Sequence, residues 1–329
     1  MPTFTPLVTL QEIRAAVPRI GTLAHRTPVL PLSGSTLPVF LKCENMQPAG
    51  AFKLRGAANM LQQLSAEARA RGVITYSSGN HGQAVALAAQ SLGCPAIVVM
   101  PTTAPDIKVA GVRKFGAKVV FEGTTSSERC VYAQREALEH RLTIVPPFDH
   151  PWIIAGQGTA GLEILEDLPE VALVLVPIGG GGLASGVAAA IKLSRPDVRV
   201  VGVEPAGSNA MQQSLAAGAP TTLAHTRSIA DGLLPLRPGD LTFSHVRTFV
   251  DEVVTVSDDA IVCAMRTLYF VAKIIVEPSG ATALAALLSG AVRRDSGPRA
   301  SLPVVAVLSG GNVSPRDLAT LLEGAALPA

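Results

Sequence analysis

Apolar positions along the chain fall into short unbroken runs separated by stretches with helical spacing. Val73-Ile74-Thr75-Tyr76, Ala96-Ile97-Val98-Val99-Met100 and Lys118-Val119-Val120-Phe121 are runs of the first kind. They are followed by helix-like segments over 83–92, 107–115 and 126–140, two of them closed by Gly93 and Gly116. Runs without polar alternation predict strands buried on both faces, hence a parallel sheet covered by the intervening helices. The alternation restarts after Pro146-Pro147: helix 153–167, strand 171–177, helix 183–194, strand 198–204, strand 253–256, helix 259–272, helix 280–290, strand 304–308 and helix 315–322. Ahead of it lie a helix over 10–17 that Pro18 is expected to end, an extended segment 27–32, a strand 38–44 and a helix over 57–70. The span 205–250, with its several Pro, Gly and Thr residues, reads as loop. The class is α/β, with residues 72–149 expected to form a compact βαβ domain.

Composition narrows the function classes. Hydrophobic residues at 48% and charged residues at 16% fit large buried sheets in a chain of 329 residues, long enough for two domains. A net charge of +2 and 4% aromatics give no footprint for nucleic acid or an anionic membrane. Residues 171–191 carry no charge, but Pro177 and four successive glycines break any spanning helix, so the stretch reads as strand, tight loop and small-residue helix. Cys43, Cys94, Cys130 and Cys263 show no paired spacing and the histidines no ligand spacing, which suits reduced thiols and gives no structural zinc site. With no secretory signal visible at Met1-Pro2-Thr3-Phe4, a soluble cytoplasmic protein is expected.

The candidate chemistry centres on Gly50-Ala51-Phe52-Lys53-Leu54-Arg55-Gly56-Ala57. A lysine can hold an aldehyde as a Schiff base, and three loops elsewhere could hold the rest of such a molecule. They are Ser77-Ser78-Gly79-Asn80-His81-Gly82, Gly179-Gly180-Gly181-Gly182 and Ser309-Gly310-Gly311-Asn312. Each follows an apolar run and precedes a helix-like one. The glycine run places backbone N–H groups and a helix N-terminus where a phosphate could sit. Gly180, Gly182 and Ser185, with Glu204 at the end of the next strand, also approximate the dinucleotide fingerprint. Four consecutive glycines favour a loop around one terminal phosphate over a turn beneath a pyrophosphate. Taken singly, each loop is also what an ordinary N-cap or turn looks like.

These motifs, together with Asp149-His150-Pro151, Ala155-Gly156-Gln157-Gly158-Thr159, Ala230-Asp231-Gly232 and Glu277-Pro278-Ser279-Gly280, run in order over nearly the whole chain. In that order the sequence resembles the pyridoxal-phosphate enzymes of fold type II, and within them the threonine/serine dehydratase and serine racemase group. The resemblance implies two open, mainly parallel sheets flanked by helices, the small domain of 72–149 being inserted in a large one made of 1–71 and 150–329. It implies pyridoxal 5'-phosphate bound to Lys53, Phe52 against the pyridine ring, Asn80 on the ring hydroxyl, and Gly179, Gly180, Gly181 and Gly182 around the phosphate. Ser309 would face the pyridine nitrogen, with Glu277 and Gly310 completing the cofactor site. A serine there cannot protonate the ring, which favours β-elimination over transamination. The substrate carboxylate would meet Ser77, Ser78, Asn80 and His81.

The reaction implied is dehydration and deamination of L-serine, L-threonine or a related β-hydroxy amino acid to a 2-oxo acid and ammonia. Lys53 would act as the base. Ser78 stands where racemase-like members carry a second acid/base opposite the lysine, so serine racemisation is an alternative, as is a dehydratase of a bulkier substrate such as hydroxyaspartate or phenylserine. Members of that kind bind a divalent ion through residues matching Glu204 and the Ser208 carbonyl, but Ala210 stands where their Asp belongs, so no metal is expected here. Dimerisation is the family habit. A nicotinamide-dependent oxidoreductase and a non-catalytic cofactor binder are the readings from other classes.

Overall fold

The computed structural model describes residues 6–35, 38–77, 79–104, 106–293 and 300–323. The chain begins with α1 (Leu10–Ile20), β1 (Val29–Pro31), β2 (Val39–Lys42), α2 (Lys53–Gln62) and α3 (Ala66–Arg71). There follow β3 (Val73–Tyr76), α4 (Asn80–Ser91), β4 (Ala96–Met100), α5 (Asp106–Arg113), β5 (Lys118–Phe121), α6 (Ser126–His140) and β6 (Thr143–Ile144). Next come α7 (Pro151–Asp167), β7 (Leu173–Pro177), α8 (Gly182–Ser194), β8 (Arg199–Pro205), α9 (Ala210–Ala217), α10 (Asp240–Phe249) and β9 (Glu252–Val256). The chain closes on α11 (Asp258–Thr267), α12 (Pro278–Leu288), β10 (Val304–Val307) and α13 (Pro315–Leu322).

The strands form two sheets flanked by helices, as expected. One, ordered β5-β4-β3-β6, is wholly parallel and draws its strands from residues 73–144. The other, ordered β1-β2-β10-β7-β8-β9, is parallel except for the β1–β2 edge. β10 lies between β2 and β7, and all three run the same way, so the segments after Lys42, Val307 and Pro177 emerge side by side. Crevices at the carboxyl ends of such strands are where ligands bind in α/β sheets. Ala51 pairs with Gly310 across that edge. On the faces of the large sheet, Val174, Val176, Val305 and Val307 pack with α8, while Leu175, Ala306 and Leu308 pack with α11 and α12. Among the described residues no helix is long and apolar enough to cross a membrane, and 171–191 is strand, loop and helix.

Three expectations fail for local reasons. Pro18 does not end α1: Ile13, Ala16 and Ile20 are buried along one stripe, and that packing carries the helix past the missing amide. The stretch 57–70 is two helices, because Ser65 turns out of α2 and caps α3 by accepting from the Ala68 amide at 3.1 Å. The span 205–250 contains α9 and α10, both missed.

Candidate active site

Lys53 is the first residue of α2, and the residue before it, Phe52, supplies no side-chain cap. Its amine donates to the Pro147 carbonyl at 2.6 Å and lies 5.1 Å from the centre of the Phe52 ring. Burial pulls the amine down to about 8, far below the ordinary lysine range. The helix is pinned from behind by Arg55, which is wholly buried. Its Nε and Nη2 reach Glu44 at 2.7 Å each, and its Nη1 and Nη2 reach Glu163, also at 2.7 Å each. Lys42 joins Glu163 at 2.5 Å, so two buried cations face two carboxylates. Such a network fixes geometry more surely than it adds stability. Glu44 is held below the usual carboxylate range, because the Arg55 charge and hydrogen bonds outweigh the cost of its burial.

Pro147 leads to Phe148, whose ring covers the glycine run. A Cβ on Gly180 would lie 2.2 Å from that ring, and one on Gly182 2.9 Å from its Cβ. Gly181 has φ +94° and would press on Met211 and Thr242, both at 2.9 Å. The run therefore has room for backbone alone. Among the described residues no acceptor takes the amides of Gly179, Gly180 or Gly181, and α8 starts at Gly182. Free amides at a helix N-terminus suit a phosphate. The loop is braced from outside: Thr242 donates to the Gly180 carbonyl at 2.7 Å, and Asp149 accepts from the amides of Asp240, Leu241 and Thr242 at 3.0–3.1 Å.

Just past the end of β10, Ser309 is buried and donates to the Ser279 carbonyl at 3.2 Å. Gly310 admits no side chain, since a Cβ would sit 2.3 Å from the Glu277 carboxyl. Glu277 accepts from the Asn80 amide at 2.6 Å, and Asn80 in turn accepts from Asn312 at 2.9 Å. Burial, reinforced by the Asp231 charge, pushes Glu277 up to about 8. The segment 50–53, residues 309–312 and the start of α4 are thus knitted together, with Phe52 donating from its amide to the Ser309 carbonyl at 3.0 Å.

Asn80 and His81 open α4, not a loop as the motif suggested. His81 is 3% exposed and its Nε2 sits 3.0 Å from the Val145 carbonyl, which makes that nitrogen the donor and leaves Nδ1 buried without a partner among the described residues. Burial and the nearby Lys53 charge pull it down to about 3, so it is neutral. Ser77 accepts from the Gly79 amide at 3.1 Å. Ser78 lies outside the described residues.

Sequence reasoning passed over Phe148 and Arg129, and gave Asn312 no role beyond its place in the third loop. Arg129 stands in the first turn of α6, at the same edge of the small sheet as Ser77, 5% exposed and with Nε and Nη1 buried and unpartnered. Its Nη2 donates to the Ser126 hydroxyl at 3.1 Å, so the signal is a buried guanidinium only partly satisfied among the described residues, which is invisible before the fold is known. The Glu204 readings do not survive. Its two oxygens accept from the Met211 and Gln212 amides at 2.9 and 2.8 Å, capping α9, and Ala210 brings no side-chain oxygen. That donor set does not fit a divalent ion. Nor does a wholly buried Glu204 present a carboxylate to a ribose, which removes the support for a nicotinamide cofactor.

The chain is 44% identical over 318 residues to a serine racemase of Oryza sativa, covering 95% of this chain and 93% of that one. It is 42% identical over 313 residues to an L-threonine ammonia-lyase of Thermotoga maritima, covering 93% and 76%. The structure of maize serine racemase superposes with a TM-score of 0.92 at 42% identity over 96% of this chain and 97% of that one. Residues 20–310 match the family described as pyridoxal-phosphate dependent enzyme, and with the lysine, the free-amide glycine cradle and Ser309 gathered at one sheet edge, the chain belongs to that family.

Proposed function

We propose that the protein eliminates water from L-threonine or L-serine and releases the corresponding 2-oxo acid and ammonia. The observation that carries this reading is the Lys53 amine, buried, lowered to about 8 and placed beside the glycine cradle through Pro147 and Phe148. When bound, pyridoxal phosphate supplies an electron sink for the bond broken at the substrate α-carbon. The roles left to the chain follow from its geometry. Gly179, Gly180, Gly181 and Gly182 hold the phosphate, Phe52 packs on the ring, and Ser309, with Glu277 and Gly310 behind it, lines the ring's polar edge. Lys53, freed by the incoming amine, takes the α-proton, the task for which a base near neutral is suited. Ser77, Ser78, Asn80 and His81 receive the substrate carboxylate, with the neutral His81 offering no competing charge. The β-hydroxyl leaves as water, and that water returns when the released enamine hydrolyses, so L-threonine becomes 2-oxobutanoate and ammonia with every atom accounted for.

A serine facing the ring nitrogen supports elimination, as does the similarity to an L-threonine ammonia-lyase. The similarity to serine racemases supports a second reading, in which Ser78 delivers a proton to the opposite face. The domain organisation we infer is a small domain, 72–149, set within 1–71 plus 150–329, on the grounds that each sheet draws its strands from one of these sets. A cytoplasmic location is supported by four free thiols, and a homodimer by the exposed Met46, Tyr269 and Ile275. One experiment separates the readings. Purified protein should show the visible absorption of lysine-bound cofactor, and Lys53→Ala should abolish it together with turnover. Oxo acid and D-enantiomer are then assayed in the same L-serine incubation. A protein that stays colourless with added pyridoxal phosphate ends the proposal, and D-serine exceeding pyruvate moves it to the second reading.

A further inference from the structure

Lys108 on α5 and Asp231 in the turn Asp231–Leu233 form an ion pair that joins the two sides of the cleft. Their side chains are 21% and 49% exposed. The Lys108 stem runs along the substrate loop: a Cβ on Gly79 would meet its Cδ at 3.4 Å and its Nζ at 3.7 Å. Gly79 is followed directly by Asn80, which holds Glu277. Asp231 belongs to the opposite wall, where the Gly232 amide donates to Ser279 at 3.0 Å and Ser279 accepts from Ser309. Both charges act on the Glu277 carboxyl, Asp231 raising its pKa and Lys108 lowering it. The pair therefore stands within electrostatic reach of the cofactor cleft, on the side where Ser77 and Asn80 lie.

We propose that this pair sets the substrate class: Asp231 occupies the Lys108 ammonium, to which the second carboxylate of an acidic β-hydroxy amino acid would bind, so neutral side chains are accepted and 3-hydroxyaspartate is refused. The proposal rests on the β-elimination reading above. A lysine ammonium is a compact point charge that any carboxylate can satisfy. While Asp231 satisfies it, an incoming dicarboxylate must set its second charge beside a like one in a partly desolvated place. Specificity built from such repulsion is reversed by removing the repelling group. Asp231→Asn keeps the size of the side chain and frees Lys108.

The test uses the cofactor-loaded enzyme and has two arms. In the first, kcat/KM for 3-hydroxyaspartate relative to L-threonine is measured for wild type, Asp231→Asn and Asp231→Asn/Lys108→Gln. The ratio should rise roughly tenfold or more in the single variant and fall back in the double one. In the second, succinate and propionate binding are measured by calorimetry, which needs no turnover. Succinate should gain roughly tenfold in affinity over propionate in Asp231→Asn, and only while Lys108 is present. Asp231→Ser is run in parallel, so that a folding defect in one variant leaves the other to decide. An unchanged ratio, a gain that survives Lys108→Gln, or a wild type that prefers 3-hydroxyaspartate overturns the proposal. If wild type dehydrates no β-hydroxy amino acid, the reaction assigned above fails, and the succinate arm still judges the pair.

Discussion

Two sets of helices satisfy their first turns in different ways. Thr9, Ser65, Thr125, His150, Ser257 and Ser314 cap α1, α3, α6, α7, α11 and α13 with their own side chains, Thr9 and Thr125 within full capping boxes. By contrast, α2, α4, α8 and α12 begin after Phe52, Gly79, Gly181 and Glu277, and none of these provides a side-chain acceptor. A buried amide left without a partner costs about 1–3 kcal/mol. The four differ in what is left over: in α2 the Leu54 and Arg55 amides bond to the Ala51 and Phe52 carbonyls, and in α12 those of Gly280 and Ala281 bond to Glu277. Ahead of α8 the Gly179, Gly180 and Gly181 amides find no acceptor among the described residues, which is costly unless a phosphate fills them. Side-chain capping thus goes with helices that only have to be stable, and the glycine loop keeps its amides for a ligand. Helices α9 and α10 show a third arrangement: each lacks a cap of its own and takes a carboxylate from outside the helix, α9 from Glu204 near the end of β8 and α10 from Asp149, 91 residues before Asp240.

The sharpest way to break this contrast is at Gly181. Alanine there would be forced to hold φ +94°, at about 1–2 kcal/mol for an L-residue, and its Cβ would press on Thr242 and Met211. The loop must move, and its amides with it. Gly181→Ala should lower pyridoxal phosphate affinity by about 2–3 kcal/mol, roughly 30- to 150-fold, by absorbance titration of the apoprotein. If affinity held within threefold, the free amides of this loop would not be what binds the phosphate.

The same contrast explains what was legible in the sequence. The strands of both sheets stood out as unbroken apolar runs, and α6 and α13 fell on the expected bounds, 126–140 and 315–322, because Thr125 and Ser314 mark their starts locally. Helices α9 and α10 were read as loop because neither Asn209 nor Gly239 caps with its own side chain: α9 is capped by Glu204 at the end of the preceding strand, and Asp149 lies 91 residues before Asp240. The site was legible as far as it is written in contiguous motifs, at Lys53, the glycine run and Ser309. Phe148 over Gly180 and the buried, half-satisfied Arg129 were not, since each matters only through what folding brings next to it. Pro18 within α1 shows the reverse error, a strong local rule overruled by the buried Ile20.

A smaller effect sharpens the contrast from the side of Lys53. Its amine stands at the head of an uncapped helix, and burial lowers it to about 8. Folding therefore penalises the ammonium: the cost is full below pH 8, shrinks between 8 and the unfolded value near 10.4, and is gone above it, so apoprotein stability rises with pH across that window. The amine must be neutral to take up an aldehyde. About a tenth is neutral at pH 7 and nine tenths at pH 9. The rate of pyridoxal phosphate uptake by apoprotein, followed by stopped-flow absorbance, should rise about tenfold between those values and level off. A hundredfold rise with no plateau would mark an unperturbed lysine and deny that burial tunes it.

The smallest effect comes from the other group of helices. Thr125 accepts from the Glu128 amide at 3.3 Å while Glu128 reaches back to the Thr125 amide at 2.8 Å, in an exposed position remote from Lys53 in the chain. Hydrogen bonds from the Thr125 and Thr124 amides hold Glu128 below the usual carboxylate range. Thr125→Ala removes one half of that box and should cost about 1 kcal/mol of stability in urea unfolding, with m unchanged. Cofactor affinity should not move, because α6 keeps its first turn for itself and lends none of it to the phosphate. Arg129 makes this more than a control. It sits in the same turn, and a fall in kcat/KM for L-threonine in Thr125→Ala, with pyridoxal phosphate affinity intact, would mean that the cap also holds that guanidinium in place. The division between helices that are merely stable and helices that bind would then have to be drawn through α6 itself.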